Sequence, residues 1–229
     1  MKAVSLLLLA LPAVILATEE GCFTSGVRYI SEAAPIVLSS LSTQMNGLIF
    51  YSDQGTFEAE NPGLITEDYS STLVSPDSMD FGSGPLDYDT DNNLFAFHTL
   101  VQGLSVDEMT GNDMAVITPS FLGVTSICVG PKMFADDAII EFTEPTTAFG
   151  CYIVMPNGPA DVNIGIIGSA GYLGAATTQG TPAGGSFWGV CCDTDEIVAI
   201  LFEDPDELGE LFCLIQFGVP TSLHSTTWG

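Results

Sequence analysis

Between Ala138 and Gly218 the chain alternates short apolar runs with turn residues. The runs are Ala138–Phe142, Ala148–Val154, Asp161–Ile167, Ser186–Cys191, Ile197–Phe202 and Leu211–Phe217, each five to seven residues long. They are rich in β-branched and aromatic side chains and are bounded by Pro, Gly, Asn or Asp. Runs of that length and composition predict strands, because a helix needs a longer stretch with a 3.6-residue period. The pattern therefore predicts an antiparallel all-β domain.

The first half is less regular. Cys22–Ser31 reads as a short strand or a tied-down arm, and Ala34–Leu41 as a strand or a short helix. Gly47–Tyr51 predicts a strand, followed by a turn at Ser52–Gly55. Thr56–Glu60 then predicts a helical turn, stopped by Asn61-Pro62-Gly63. Leu64–Tyr69 resumes an extended pattern, and Ser70–Asn93 is polar, acidic and punctuated by Gly and Pro. Leu94–Leu100, Met114–Ile117 and Ser120–Val129 predict further strands, with an acidic turn over Asp107–Asp113. No linker, fixed-period repeat or low-complexity tract interrupts the chain, so 18–229 reads as one domain.

Lys2, the apolar stretch Val4–Leu16 and the small Ala17 predict a secretory signal peptide over Met1–Ala17. That stretch is shorter than the roughly 20 residues a membrane span needs. No second long apolar segment precedes Trp228-Gly229. The expectation is a secreted, soluble, extracellular protein without membrane insertion.

Charge narrows the partners. Three Lys and Arg side chains stand against 29 Asp and Glu, and Lys2 lies in the leader. Such a chain cannot neutralise phosphates, which excludes nucleic acid and anionic lipid surfaces. The excess reads either as solubility in a cation-rich medium or as carboxylates gathered for Ca²⁺.

Six cysteines, Cys22, Cys128, Cys151, Cys191, Cys192 and Cys213, predict disulfides in an exported chain. Cys191 and Cys192 are adjacent, so in a strand they face opposite sides and take different partners. Cys151, Cys192 and Cys213 lie in neighbouring predicted strands and form the preferred pool for one bridge, with the pairing left open. Zinc is disfavoured because there is no C-x-x-C pair and only His98 and His224 could assist.

The segment Ile139–Gly150, IIEFTEPTTAFG, resembles the strand, Pro, Ala-Phe-Gly pattern of exported bacterial β-sandwich proteins of the PEP-CTERM-associated type. The resemblance continues in Gly185–Val190, in Asp195–Phe202 and in a last strand ending Phe217-Gly218. Upstream, Gly55–Leu64 is similar to the short helix and turn that open such domains. The resemblance implies a two-sheet β-sandwich of jelly-roll, lectin-like type, with matrix-associated, polysaccharide-associated or adhesive roles. Departures are the absence of a sorting tail, the cysteines, and Glu210–Cys213 where an Asp-Asn pair often enters the last strand.

Asp87-Tyr-Asp-Thr-Asp-Asn-Asn93 is the metal candidate. Asp87, Asp89 and Asp91 alternate, so three carboxylates can address one hard cation, with Asn92 or Asn93 adding a carbonyl oxygen. It is not an EF-hand, since Asn92 stands where Gly is required and His98 where the closing Glu belongs. Glu203–Glu207 with Glu210 reads as a polar hairpin tip. For a glycan, flat rings that stack on a pyranose are wanted. Tyr88 in the acidic loop and Tyr172 in a Gly-rich turn are preferred. Trp188 is a third candidate, but it alternates with Phe187, so one of the two belongs to the core. No G-x-S-x-G or phosphate loop appears. The reading is a non-catalytic binder of a glycan or matrix component, stiffened by Ca²⁺. The alternatives are a structural subunit that self-assembles by strand addition through Thr18–Glu32 and Val219–Gly229, and then a secreted hydrolase.

Overall fold

Alternation of inward and outward side chains turns the predicted runs into the walls of a sandwich. The computed structural model describes residues 47–111, 113–132, 136–205 and 209–220, all within one compact unit. The predicted leader Met1–Ala17, Cys22, the arm Thr18–Glu32, Ala34–Leu41 and residues 221–229 lie outside the described residues.

In chain order the elements are β1 (Leu48–Tyr51), α1 (Gln54–Glu60), β2 (Ile65–Glu67), β3 (Met79–Ser83), β4 (Leu86–Asp87), β5 (Leu104–Glu108), β6 (Asp113–Ile117) and β7 (Cys128–Pro131). They continue with β8 (Ala138–Thr146), β9 (Ala148–Val154), β10 (Ala160–Gly168), β11 (Gly171–Gly180), β12 (Ser186–Cys192), β13 (Ile197–Glu203) and β14 (Leu211–Gly218). Sheet A has the order β1-β12-β9-β14-β7-β6-β3, with β2 also paired to β14. Sheet B has the order β11-β10-β13-β8-β5-β4. All the strand pairs in both sheets are antiparallel. The protein is thus an all-β, two-sheet antiparallel sandwich. No helix among the described residues is long and apolar enough to cross a membrane.

Several local expectations are corrected. Leu94–Leu100 forms no strand: Leu94 and Phe95 are fully buried loop anchors, and His98 adopts a left-handed φ of 60° that ends extended structure there. Asp107 and Glu108 belong to β5 rather than to a turn. Ser120–Val129 is a single helical turn at Phe121–Gly123 before β7 begins at Cys128. β3 and β4 arise inside the stretch read as irregular. β11 arises from GYLGAATTQG, whose small residues carry no apolar alternation to reveal it.

The interior is an aromatic layer. Phe142, Phe149, Trp188, Phe202, Phe212 and Phe217 all lie in the main core. Phe202 of sheet B meets Phe212 of sheet A at a ring separation of 4.5 Å. Trp188 packs against Phe149 and Phe202, and only 4% of it is exposed.

The outer face of sheet A is closed by α1. Asp53 caps the helix, its carboxylate accepting from Thr56 N at 2.8 Å. Asn61 Nδ2 closes the other end by donating to Phe57 O at 2.9 Å. The helix buries Phe57 against Tyr51 and Phe187. The ring rests on Gly150 and Gly189, which are register partners in β9 and β12. A Cβ at Gly150 would lie 2.9 Å from Phe57 Cε1 and 2.7 Å from Phe187 Cζ. Both Phe187 and Trp188 are therefore core residues, on opposite faces of one strand.

One disulfide, Cys128–Cys213, joins β7 to β14 across a sequence separation of 85. It lies on the outer side of sheet A with Ile117, Val124, Val154 and Leu211. This corrects the preferred pool. Cys151 and Cys192 face the inner core, so the sheet itself stands between them and Cys213. Among the described residues Cys151, Cys191 and Cys192 form no disulfide, and Cys191 and Cys192 point to opposite faces of the sheet.

Overpacking at the Phe57 seat is expected to cost roughly 1–3 kcal/mol. Urea denaturation of Gly150→Ala should show that loss, while Gly55→Ala, at an exposed position of α1 with no contact closer than 3.5 Å, should lose no stability. Equal stability of Gly150→Ala and the parent would mean that the ring does not rest on this pair.

Candidate functional site

The loop from Ser83 to Thr99 leaves β3, passes through β4, and returns over the end of sheet B. Its shape is set by short polar side chains that bond their own backbone. Asp87 Oδ1 accepts from Asp89 N at 3.0 Å, and Thr90 Oγ1 lies 3.1 Å from both Asp87 Oδ1 and Pro85 O. Asn92 Oδ1 accepts from Leu94 N and Phe95 N, while Asn92 Nδ2 donates to Ser83 O at 3.1 Å. Asn93 Nδ2 donates to Phe81 O at 2.8 Å. Buried Leu94 and Phe95 then pin the loop to the core.

Pinning the loop brings three rings together. His98 N donates to Tyr88 O at 3.1 Å. The His98 imidazole stacks on Tyr88 at 4.1 Å and on Phe97 at 3.6 Å, with interplanar angles of 12° and 27°. His98 thus lies between the other two, and Phe97 forms the outer end with 53% of its surface exposed. His98 Nε2 is 3.4 Å from Asp89 Oδ1. Asp89 also lines a shallow depression of about 270 Å³ with Ser83, Gly84, Pro85, Asp87, Thr90, Asp91 and Asn92. A stack of flat rings and a row of carboxylates therefore share one rim.

Asp87, Asp89 and Asp91 all line this depression. Asn93 does not, because its side chain is drawn to Phe81 O. Asp87 is already committed to the loop backbone. Among the described residues, no three or more His, Cys, Asp or Glu side chains converge to hold a metal. Tyr88 belongs to the stack. Tyr172 stands apart at the start of β11, 40% exposed. Trp188 is corrected as a glycan platform, since burial between the sheets leaves it no free face. His98 and Phe97 were missed because LFAFHTL reads as a strand; only the left-handed turn at His98 puts its ring beside Tyr88.

A second concavity, of about 600 Å³, is lined by Ile65, Val101, Thr143, Pro145 and Phe217 among others. Phe217 is buried, so this cleft offers apolar contact but no stacking face.

The acids near the depression feel one another. A Cβ at Gly84 would lie 2.6 Å from Asp107 Oδ1, so Asp107 sits directly beneath the rim. Burial pushes its carboxyl up to about 6, helped by the neighbouring charges of Glu108, Glu141 and Asp87. At the same end of β8, just before Ala138, burial and then the charge of Glu203 push Asp137 up to about 6 as well. Glu210 is fully buried beside Asp204 and Asp137, and burial holds its carboxyl well above the usual range. Neither Glu210 oxygen closes a hydrogen bond of good geometry, although the N–H groups of Ala138 and of Glu210 itself face the carboxyl.

No protein-family model matches this chain. A search of curated proteins also returns no match.

A carboxyl whose folded pKa is raised holds its proton longer in the fold than in the unfolded chain. Each such group costs nothing below its unfolded value of 3.8 and its full penalty above about 6. Stability is therefore expected to fall as pH rises from 4 to past 6, by on the order of 1 kcal/mol for each of Asp107 and Asp137 after solvent screening. Urea midpoints at pH 5 and 7.5 test this, with Asp137→Asn expected to be more stable at pH 7.5 and less pH-dependent. A midpoint that rises with pH over that window would contradict the assignment.

Proposed function

We propose that the chain is a secreted, non-catalytic binding module whose ligand is a neutral glycan of the extracellular matrix. The observation that carries this reading is the Phe97–His98–Tyr88 stack standing at the rim of the acid-lined depression. An exposed ring stacks on the apolar C–H face of a sugar, and carboxylates beside it accept from sugar hydroxyls. A net charge of −26 selects against uronate- or sulfate-bearing chains and leaves neutral ones. Export rests on the leader sequence, and the jelly-roll class and the PEP-CTERM-associated resemblance belong to the same reading.

Calcium enters this reading as a weak ligand of the open depression. Three carboxylates line it, and a hydrated Ca²⁺ that keeps most of its waters needs no convergent cage. Affinity in that situation belongs to the millimolar class of extracellular sites.

A glycan array probed with the purified chain, with and without about 5 mM Ca²⁺, identifies the ligand class. Calorimetry on the best neutral hit should then show roughly tenfold weaker binding for Phe97→Ala and for Tyr88→Ala, about 1.4 kcal/mol each. Unchanged urea midpoints would show that the fold is intact. Binding that survives both substitutions, or preference for acidic glycans, would defeat the proposal.

A further inference from the structure

We infer that β11 is a self-association edge, along which two copies of the chain pair antiparallel across a twofold axis and join their six-stranded sheets. This goes beyond glycan binding and does not depend on it.

β11 is the outermost strand of sheet B. It pairs with β10 on one side and, among the described residues, with no strand on the other. Exposed sheet edges present unpaired N–H and C=O groups, and proteins ordinarily blunt them with charge, proline, strong bulges or brevity. The other outermost strands follow that rule in part. β4 is two residues long and ends in Asp87, β3 carries Asp80, and β1 is four residues long. β11 runs for ten residues, Gly171–Gly180, without a charge or a proline. A bulge lies near its start, opposite Ile166 and Ile167. At its far end the Ser186 hydroxyl already takes the Gln179 carbonyl. The free, regular stretch is therefore Gly174–Thr178.

Charge identifies the occupant. A chain carrying −26 meets another copy of itself with like charge almost everywhere, and only a neutral surface lets two copies touch. β11 supplies the longest such surface among the outermost strands. Beside it Leu48 of β1 lies against Gly174, and Tyr172 on the strand itself is 40% exposed. Antiparallel self-pairing needs no complementary sequence, because each backbone offers the same alternation of donors and acceptors to the other. A twofold contact of this kind closes on itself, so it yields a dimer and not a filament.

One strand pair buries less than a standard interface, so affinity in the micromolar range or weaker is expected. The salt dependence has a defined sign. Salt screens the repulsion between the two acidic bodies and does not weaken a neutral contact, so association should strengthen by tenfold or more between about 0.05 and 1 M NaCl.

The experiment is sedimentation equilibrium on the purified chain up to about 0.5 mM, with accessible thiols alkylated by iodoacetamide so that Cys191 does not link copies and the Cys128–Cys213 bridge stays intact. The reference variant is Ala175→Glu. Ala175 is part-exposed at mid-strand, and its register partner Gly165 has no side chain to obstruct a longer one. The parent should reach a salt-enhanced monomer–dimer equilibrium. Ala175→Glu should remain monomeric with an unchanged urea midpoint, and Ala175→Ser should still dimerise. Amide exchange within Gly174–Thr178 should slow as concentration rises. A parent that stays monomeric throughout overturns the inference, as would protection of those amides in a monomer by the chain's own N-terminal residues. Dimers that persist in Ala175→Glu, or species larger than a dimer, would also overturn it.

Discussion

The contact between Phe202 and Phe212 holds the two sheets to one another. These residues lie in consecutive strands of the chain but in opposite walls of the sandwich, and their rings meet at 4.5 Å. Around them Phe142, Phe149, Trp188 and Phe217 complete an aromatic layer that fills the roughly 10 Å space between packed sheets. Large rings give more buried area per residue than aliphatic side chains, and tilted pairs add to that. The loop of the candidate site inherits its position from this layer, because Leu94 and Phe95 anchor in the same core.

Charge plays a different part from the one it plays in most folds. Lys132 is the only Lys or Arg among the described residues, and it is held by Asp113 at 2.6 Å. Carboxylates elsewhere bond backbone N–H groups a few residues on, as Asp53, Asp68, Asp87 and Asp195 do. Asn92 does the same within the site loop. The acids thus act locally as turn-formers, and their repulsion is left to water and salt. Burial raises the carboxyls of buried Glu67 and Glu210 and of half-buried Asp107 and Asp137, so these hold their protons more tightly than exposed acids do.

What was legible in the sequence followed from period and composition. The six apolar runs after Ala138 became β8, β9, β10, β12, β13 and β14 because each has branched or aromatic residues facing a core. The helix at Thr56–Glu60 was visible through Asn61-Pro62-Gly63. β11 was not, since Gly, Ala and Thr pair by backbone without an apolar signature. The Cys128–Cys213 bridge was hidden because which sheet face a cysteine occupies depends on the register of its strand. In the site, Tyr88 and the alternating aspartates stood out as residue types. Phe97 and His98 did not, because their meeting with Tyr88 depends on one left-handed residue inside a run that reads as a strand.

The place of β14 has a consequence for how the chain is made. It is the last described strand, yet it lies inside sheet A, with β9 on one side and both β7 and β2 on the other. While residues 211–218 are still within the ribosome, sheet A is split in two and the aromatic layer lacks Phe212 and Phe217. Most of the pairings span long sequence separations, which slows folding. A nascent chain of this kind stays open until Leu211–Gly218 has emerged, because only that strand joins the two halves of sheet A and brings in the last two rings of the layer.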